Sequence, residues 1–229
     1  KLALTLAPTS YKERALYDTA LSIALLRFLH DMHYGRINPQ GINYKLQLRE
    51  KKLIDLPVLI KDSLALNTIS QLPLLVEPKL QQYQKLKSAL TGYRQLAEKS
   101  PNFVFVSKSK LRPGENHPQL PELSELLAGL GDLPESAVLR RSEKKLIYGP
   151  ELVEAIKKFQ LRHGLGAEGT IDPGTVEALN EPLSKRITQI ELAMERLRWL
   201  PELSSGRSII VNIPAFQLWA IEDINNIDV

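Results

Sequence analysis

Residues 148–165, YGPELVEAIKKFQLRHGL, have the pattern of one complete amphipathic helix. Pro150 suits the first helical turn, where its missing N–H would have no helical partner anyway. Gly164, directly after His163, is a typical helix stop. The apolar residues recur at spacings of three and four, which places them on one helical face: Leu152, Ala155, Ile156 and Phe159. This face predicts the centre of a small helical core.

Two further helices are predicted on either side of this one. After it, Asp172 can cap a short helix whose first turn contains Pro173 and which ends near Asn180. Before it, four leucines follow the i, i+3, i+4, i+7 spacing of a helical stripe: Leu123, Leu126, Leu127 and Leu130. We therefore expect a three-helix domain over residues 111–181.

Residues 1–110 are predicted to form a helical scaffold domain. Ser10 and Glu13 have the spacing of a capping box at the start of a helix that runs to His33. Apolar residues fill most of the circumference of this helix, which is typical of a helix packed between others. Further helical segments are expected at 53–65 and 80–99.

The rest of the chain consists of connections and two apolar runs. Residues 103–106 within the break at 101–117 predict a linking strand or an extended connection, and residues 182–207 a connecting helix with a linker. Runs at 208–213 and 216–221 predict a β-hairpin with apolar side chains on both faces. Such a pair is unstable alone, so we expect 208–229 to be the first strands of a larger β-rich domain, within an otherwise mainly α fold.

Composition excludes several classes of function. The 229 residues carry a formal net charge of +4 and contain no cysteine, which is typical of a globular protein and excludes a disulfide framework, a thiolate metal site and a cysteine nucleophile within them. Basic residues do not form the dense runs expected of a nucleic-acid interface. The most apolar stretch, 15–32, contains four charged or titratable side chains and is not expected to span a membrane.

His30 and His33 are the only residues whose spacing resembles a metal site. They lie at i, i+3 of the predicted first helix, but no third ligand is evident nearby. Histidines of the core or the helix end are the favoured alternative. We expect no metal and no cofactor.

Residues 155–165, AIKKFQLRHGL, and 169–179, GTIDPGTVEAL, resemble the peptidoglycan-binding domain of bacterial cell-wall enzymes. Most of the matching residues are those expected to form the core or the helix ends, so the resemblance identifies the fold more directly than a binding site. The resemblance implies exposed polar residues beside a ligand groove, or, equally, residues that cap and solvate helices: Gln160, Arg162, His163, Thr170 and Thr175.

The flanking segments are similar to the large L,D-transpeptidases of the YcbB type. The similarity covers nearly the whole chain in order and is carried by YGRINP at 34–39, LRPG at 111–114, ERLRWLP at 195–201 and VNIPAF at 211–216. In that family a helical scaffold domain and a peptidoglycan-binding domain precede a β-rich catalytic domain. There a cysteine, activated by a histidine, attacks the carbonyl of the diamino-acid residue in a stem tetrapeptide, and D-alanine leaves. The acyl group then passes to the side-chain amine of a second stem, which gives a 3→3 cross-link.

This resemblance implies a periplasmic protein of cell-wall biogenesis and cell shape, with peptidoglycan stem peptides and glycan, and other cell-wall synthases, as partners. Any inner-membrane anchor would lie outside these residues. Since the sequence has no cysteine, we expect residues 1–229 to bind and position the wall and to contain no catalytic residue. The alternatives are a peptidoglycan hydrolase or amidase with the same binding module, and a non-catalytic wall-binding protein.

Overall fold

A computed structural model describes residues 10–39, 53–99, 103–107, 109–141, 146–200, 207–212 and 216–222. The chain divides into two compact units, which we call unit 1 (Lys1–Gln84 with Ala193–Val229) and unit 2 (Lys85–Leu192). The predicted domain boundaries are not tested by this division and stay predictions.

The described residues are mainly helical, which confirms the predicted fold class. Short 3₁₀ helices lie at Ile69–Gln71 and Glu135–Ala137. The α-helices are α1 Tyr11–Tyr34, α2 Leu56–Ala65, α3 Leu72–Val76, α4 Gln81–Lys99, α5 Leu120–Gly129, α6 Pro150–Arg162, α7 Pro173–Leu179 and α8 Leu183–Arg198. The short helix α3 was not predicted, because five residues are too few to show a helical period.

The two strands are β1 Ser208–Asn212 and β2 Gln217–Ile221. They pair antiparallel from Ser208 opposite Ile221 to Asn212 opposite Gln217, as expected for a hairpin. On one face Ile209, Val211 and Leu218 are exposed. That this hairpin belongs to a larger β-rich domain stays a prediction.

Helix α1 begins at the predicted capping box. The Glu13 N–H donates to Ser10 Oγ at 3.2 Å, and the Ser10 N–H donates to a Glu13 carboxylate oxygen at 3.1 Å. The expectation that α1 is packed on most sides is wrong for the residues that the structure describes, because Leu16, Leu21 and Phe28 are exposed. Helices α2 and α3 contact α1, and Leu29 is the buried apolar residue that it contributes to their common core.

His33 is a histidine of the core, which was the favoured alternative. It is buried, and its Nδ1 lies 2.8 Å from the carbonyl oxygen of Val76, to which it donates. His30 is exposed one turn earlier on α1. Within the described ranges, no group of three or more side chains could hold a metal ion.

A buried carboxylate connects the end of α8 to the segment after α1 inside unit 1. Glu195 accepts hydrogen bonds from the backbone N–H groups of Arg36 at 2.6 Å and Ile37 at 2.9 Å, and from Trp199 Nε1 at 3.2 Å. Its second oxygen accepts from Arg198, which also donates to the Tyr83 hydroxyl. Gly35 allows this close approach, since a Cβ there would lie 2.6 Å from the Glu195 oxygen.

Unit 2 contains the three predicted helices α5, α6 and α7 around one core. Pro150 occupies the first turn of α6, which ends at Arg162, and Asp172 caps α7 as predicted. Short antiparallel bridges at Leu111–Ile171 and Asn116–Ile147 hold the connecting segments together. The largest buried residues of this core are Phe105, Leu120, Leu123, Leu127, Tyr148, Ile156, Phe159 and Ile171.

The segment 103–107 is the predicted extended connection, and it belongs to this core. Phe105 is buried, and its backbone N–H and carbonyl both pair with the Asn180 carboxamide, at 2.7 and 2.9 Å. On the opposite edge, the Gln119 carboxamide pairs with the Val104 carbonyl and the Val106 N–H. Two side-chain amides thus pair with the backbone of this segment on both of its edges, as neighbouring strands do in a sheet.

Candidate functional site

Gln160 lies in the last turn of α6 and points into unit 2. Its side chain is fully used inside the protein: Nε2 donates to the Thr170 carbonyl at 2.8 Å and to Thr175 Oγ1 at 2.9 Å, while Oε1 accepts from the Gly169 N–H at 2.9 Å. Gln160 is 2% exposed. The carboxamide therefore fixes the loop between α6 and α7.

Thr175 continues this buried network in the first turn of α7. Its hydroxyl donates to Asp172 Oδ1 at 2.7 Å, and its backbone N–H donates to the same oxygen at 2.8 Å. These two hydrogen bonds lower the pKa of Asp172 below its ordinary value. The Asp172 carboxylate is the N-cap of α7, and the buried Thr175 hydroxyl holds it in place.

The expectation that Gln160 and Thr175 are exposed is wrong. Gln160 follows Ile156 by four residues, so the helical period places it on the same buried face. That spacing could have indicated from the sequence that Gln160 is buried. A buried glutamine was nevertheless not expected, because its amide needs hydrogen-bond partners that only folding brings together. Thr170 is partly buried and contributes its carbonyl oxygen to the same network. Whether these residues contact the wall stays a prediction.

Gly169 is held tightly by this network, whereas Gly164 is not. Both have positive φ angles, +73° and +69°. A Cβ on Gly169 would lie 2.7 Å from Val153 Cγ1, and its carbonyl accepts the Tyr148 hydroxyl at 2.7 Å. Burial raises the pKa of that Tyr148 hydroxyl, which stays a hydrogen-bond donor at neutral pH.

We expect Gly169→Ala to destabilise unit 2 by about 2 kcal/mol, against about 1 kcal/mol for Gly164→Ala. Both variants place alanine at a positive φ, but only the first also drives a Cβ into Val153. Denaturant unfolding followed by circular dichroism measures both. Equal losses would show that backbone strain alone determines the effect.

The depressed pKa of Asp172 predicts an acid-sensitive cap. Since folding lowers the pKa of Asp172, the ionised carboxylate stabilises unit 2 fully at pH values above the ordinary pKa of an aspartate. This contribution is lost as the pH falls through the pKa of the folded state. Asp172→Asn keeps a capping side chain without the charge. We expect the difference in unfolding free energy between wild type and Asp172→Asn to be larger at neutral pH than below about pH 3. A constant difference across that range would contradict this assignment.

Arg162 points outward from the same turn of α6. Its guanidinium forms an ion pair with Asp132, donates to the Tyr93 hydroxyl at 3.2 Å, and lies over the Phe159 ring with 5.7 Å from Cζ to the ring centre. Burial raises the pKa of Asp132, although the positive charge of Arg162 opposes that effect. Arg162 stays partly exposed, with 38% of its side chain accessible.

His163 follows Arg162 in the chain, and its ring stacks on the Phe159 ring. Its ring is 4.0 Å from the Phe159 ring centre, and Nδ1 donates to the Phe159 carbonyl at 2.7 Å. Partial burial, and then the positive charges of Arg162 and Arg186, lower the pKa of His163, so the imidazole is neutral at physiological pH. The structure therefore brings Arg162 and His163 together on an accessible surface.

Four residues of this surface were missed in the sequence: Tyr93, Asp132, Lys158 and Arg186. Tyr93 contacts Arg162 from α4, although the two lie 69 positions apart in the chain. The charges of Lys158 and Arg186 act on Asp132 and His163 respectively. Lys158 could have been found, because it precedes Arg162 by one helical turn. The others had no local signal.

Two family models match parts of the chain. Residues 1–90 match the one described as "Scaffold domain", and residues 116–179 match the one described as "Putative peptidoglycan binding domain". No curated protein matches the sequence. None of the helices among the described residues is long and apolar enough to cross a membrane. The two matches support a wall-binding region of a cell-wall protein, with peptidoglycan as its partner.

Proposed function

We propose that this chain binds peptidoglycan through the outer surface of unit 2, around Arg162 and His163, and is the scaffold and wall-binding portion of an L,D-transpeptidase. The observation that carries the binding proposal is the division of the matched segment into two sides. Gln160 and Thr175 form its interior, whereas Arg162 and His163 stay accessible.

The transpeptidase proposal is supported by the order of the matches. A scaffold domain precedes a peptidoglycan-binding domain, as in the enzymes that the sequence resembles. The hairpin of β1 and β2, with its exposed apolar face, follows both. Because residues 1–229 contain no cysteine, a cysteine nucleophile would have to lie outside them. The chain alone would then bind and position the wall in the periplasm without catalysing the reaction.

Co-sedimentation with purified sacculi tests the binding proposal. We expect the chain to pellet with sacculi at low salt and to remain in the supernatant without them. Digesting the sacculi to soluble fragments beforehand should abolish pelleting. A chain that stays in the supernatant with intact sacculi would contradict wall binding by these residues.

Product analysis tests the enzyme proposal against its alternatives. The natural full-length protein, incubated with disaccharide tetrapeptides, should give 3→3 cross-linked dimers in mass spectrometry and release D-alanine. Cleaved amide or glycosidic bonds would favour a hydrolase or amidase with the same module. Neither product, together with sacculus binding, would favour a non-catalytic wall-binding protein.

A further inference from the structure

The accessible end of α6 carries more positive charge than its partners neutralise. Lys158 and Arg162 lie one helical turn apart, and both act electrostatically on Asp132. Arg186, from α8, acts on the adjacent His163. Two permanent cations therefore act on the Asp132 carboxylate, and a third acts on the adjacent histidine. We call this group the α6 cation cluster: Lys158, Arg162 and Arg186.

Two of these cations have no ion-pair partner among the described residues. Glu154 could reach Lys158 across one helical turn, but it pairs with Lys157 instead, at 2.7 Å. Arg186 contacts the neutral Gln189, and the neighbouring Lys185 takes the Glu181 carboxylate. The cluster therefore keeps a positive potential that a bound anion would neutralise.

Arg162 also has donors left for a ligand. A guanidinium presents five N–H groups, and the described contacts of Arg162 use its two terminal nitrogens, one toward Asp132 and one toward Tyr93. Those contacts and the Phe159 ring hold the planar group in a fixed orientation. A fixed, partly exposed guanidinium beside unpaired cations is suited to a carboxylate, which accepts hydrogen bonds from several donors at once.

We propose that the α6 cation cluster binds a free carboxylate of a peptidoglycan stem peptide. This inference rests on the proposed wall binding and specifies its chemistry. The glycan strands of peptidoglycan consist of N-acetylated sugars, which carry no charge where their lactyl carboxyl group is amide-bonded to a stem peptide. The stem peptides themselves end in free carboxylates. The cluster thus recognises the peptide part of the wall, and Tyr93 extends the surface beyond the segment that matches the peptidoglycan-binding family.

The test compares two double variants that change the net charge equally. Lys158→Gln with Arg186→Gln removes the two unpaired cations and leaves the Arg162–Asp132 pair intact. The matched control, Arg141→Gln with Lys185→Gln, removes two exposed cations of unit 2 that already pair with Glu122 and Glu181. The probe is a soluble disaccharide tetrapeptide, offered with free carboxylates or with all of them amidated, and calorimetry measures its affinity.

We expect the first double variant to bind the free-carboxylate probe about tenfold more weakly than wild type, and the control to change the affinity less than about twofold. Amidating the probe should weaken binding to wild type by a similar factor and have little further effect on the first variant. Equal affinity of wild type for both probes would overturn the inference, and sacculus pelleting by the same protein would show that wall binding itself stands. If wild type neither pellets nor binds either probe, both proposals fall.

Discussion

Gln160→Ala is expected to destabilise unit 2 by about 3 kcal/mol. The substitution removes a buried carboxamide that donates to the Thr170 carbonyl and Thr175 Oγ1 and accepts from the Gly169 N–H. Thr175 keeps its bond to Asp172, but the other two backbone groups lose a partner that water cannot easily replace. A cavity in the last turn of α6 adds to the loss. Denaturant unfolding followed by circular dichroism, with hydrogen exchange of the α6 amides, measures it.

The adjacent Leu161 supplies the matched control. It is 73% exposed, so Leu161→Ala should change the unfolding free energy by less than about 0.5 kcal/mol. Gln160→Glu distinguishes the contribution of hydrogen bonding to stability from that of side-chain volume. The glutamate has the same size, but when ionised it cannot donate to the Thr170 carbonyl. It should also be destabilising. A Gln160→Ala variant as stable as Leu161→Ala would show that the buried network contributes nothing to stability.

Glu195→Ala is expected to destabilise unit 1 by about 3 kcal/mol. The loss leaves the N–H groups of Arg36 and Ile37 without their acceptor and the half-buried Arg198 guanidinium without its counter-charge. Both tryptophans of the chain, Trp199 and Trp219, lie in unit 1. Tryptophan fluorescence during denaturant unfolding therefore reports this unit selectively.

Glu191 is the control for Glu195. It lies one turn earlier on α8 and forms an exposed ion pair with Arg94 at 2.7 Å. Exposed pairs contribute little because water screens them, so Glu191→Ala should cost less than about 1 kcal/mol. Because Glu191 and Arg94 lie in unit 2, circular dichroism, which reports the helices of both units, measures this variant and Glu195→Ala side by side. If the fluorescence transition of Glu195→Ala coincides with that of wild type, the buried carboxylate does not hold the end of α8 in unit 1.

Features set by neighbouring residues could be predicted well from the sequence. The capping box of Ser10 and Glu13, the entry of α6 at Pro150 and the Asp172 cap all occur as expected, because each depends on hydrogen bonds within a few residues. The hairpin pairing follows for the same reason. The packing of α1 could not be predicted. Apolar residues around most of a helix do not determine which other helices contact that helix.

By itself, then, the sequence determined the helices, their ends and the kind of module that residues 148–180 form, because helical periodicity and capping act over one or two turns. Only the tertiary structure decided which polar side chains of that module are buried and which stay accessible. Gln160 and Thr175 turned inward because folding supplied buried partners for them. Arg162 donates hydrogen bonds to Asp132 and Tyr93, which lie 30 and 69 positions away in the chain. Contacts between such distant residues arise from packing alone.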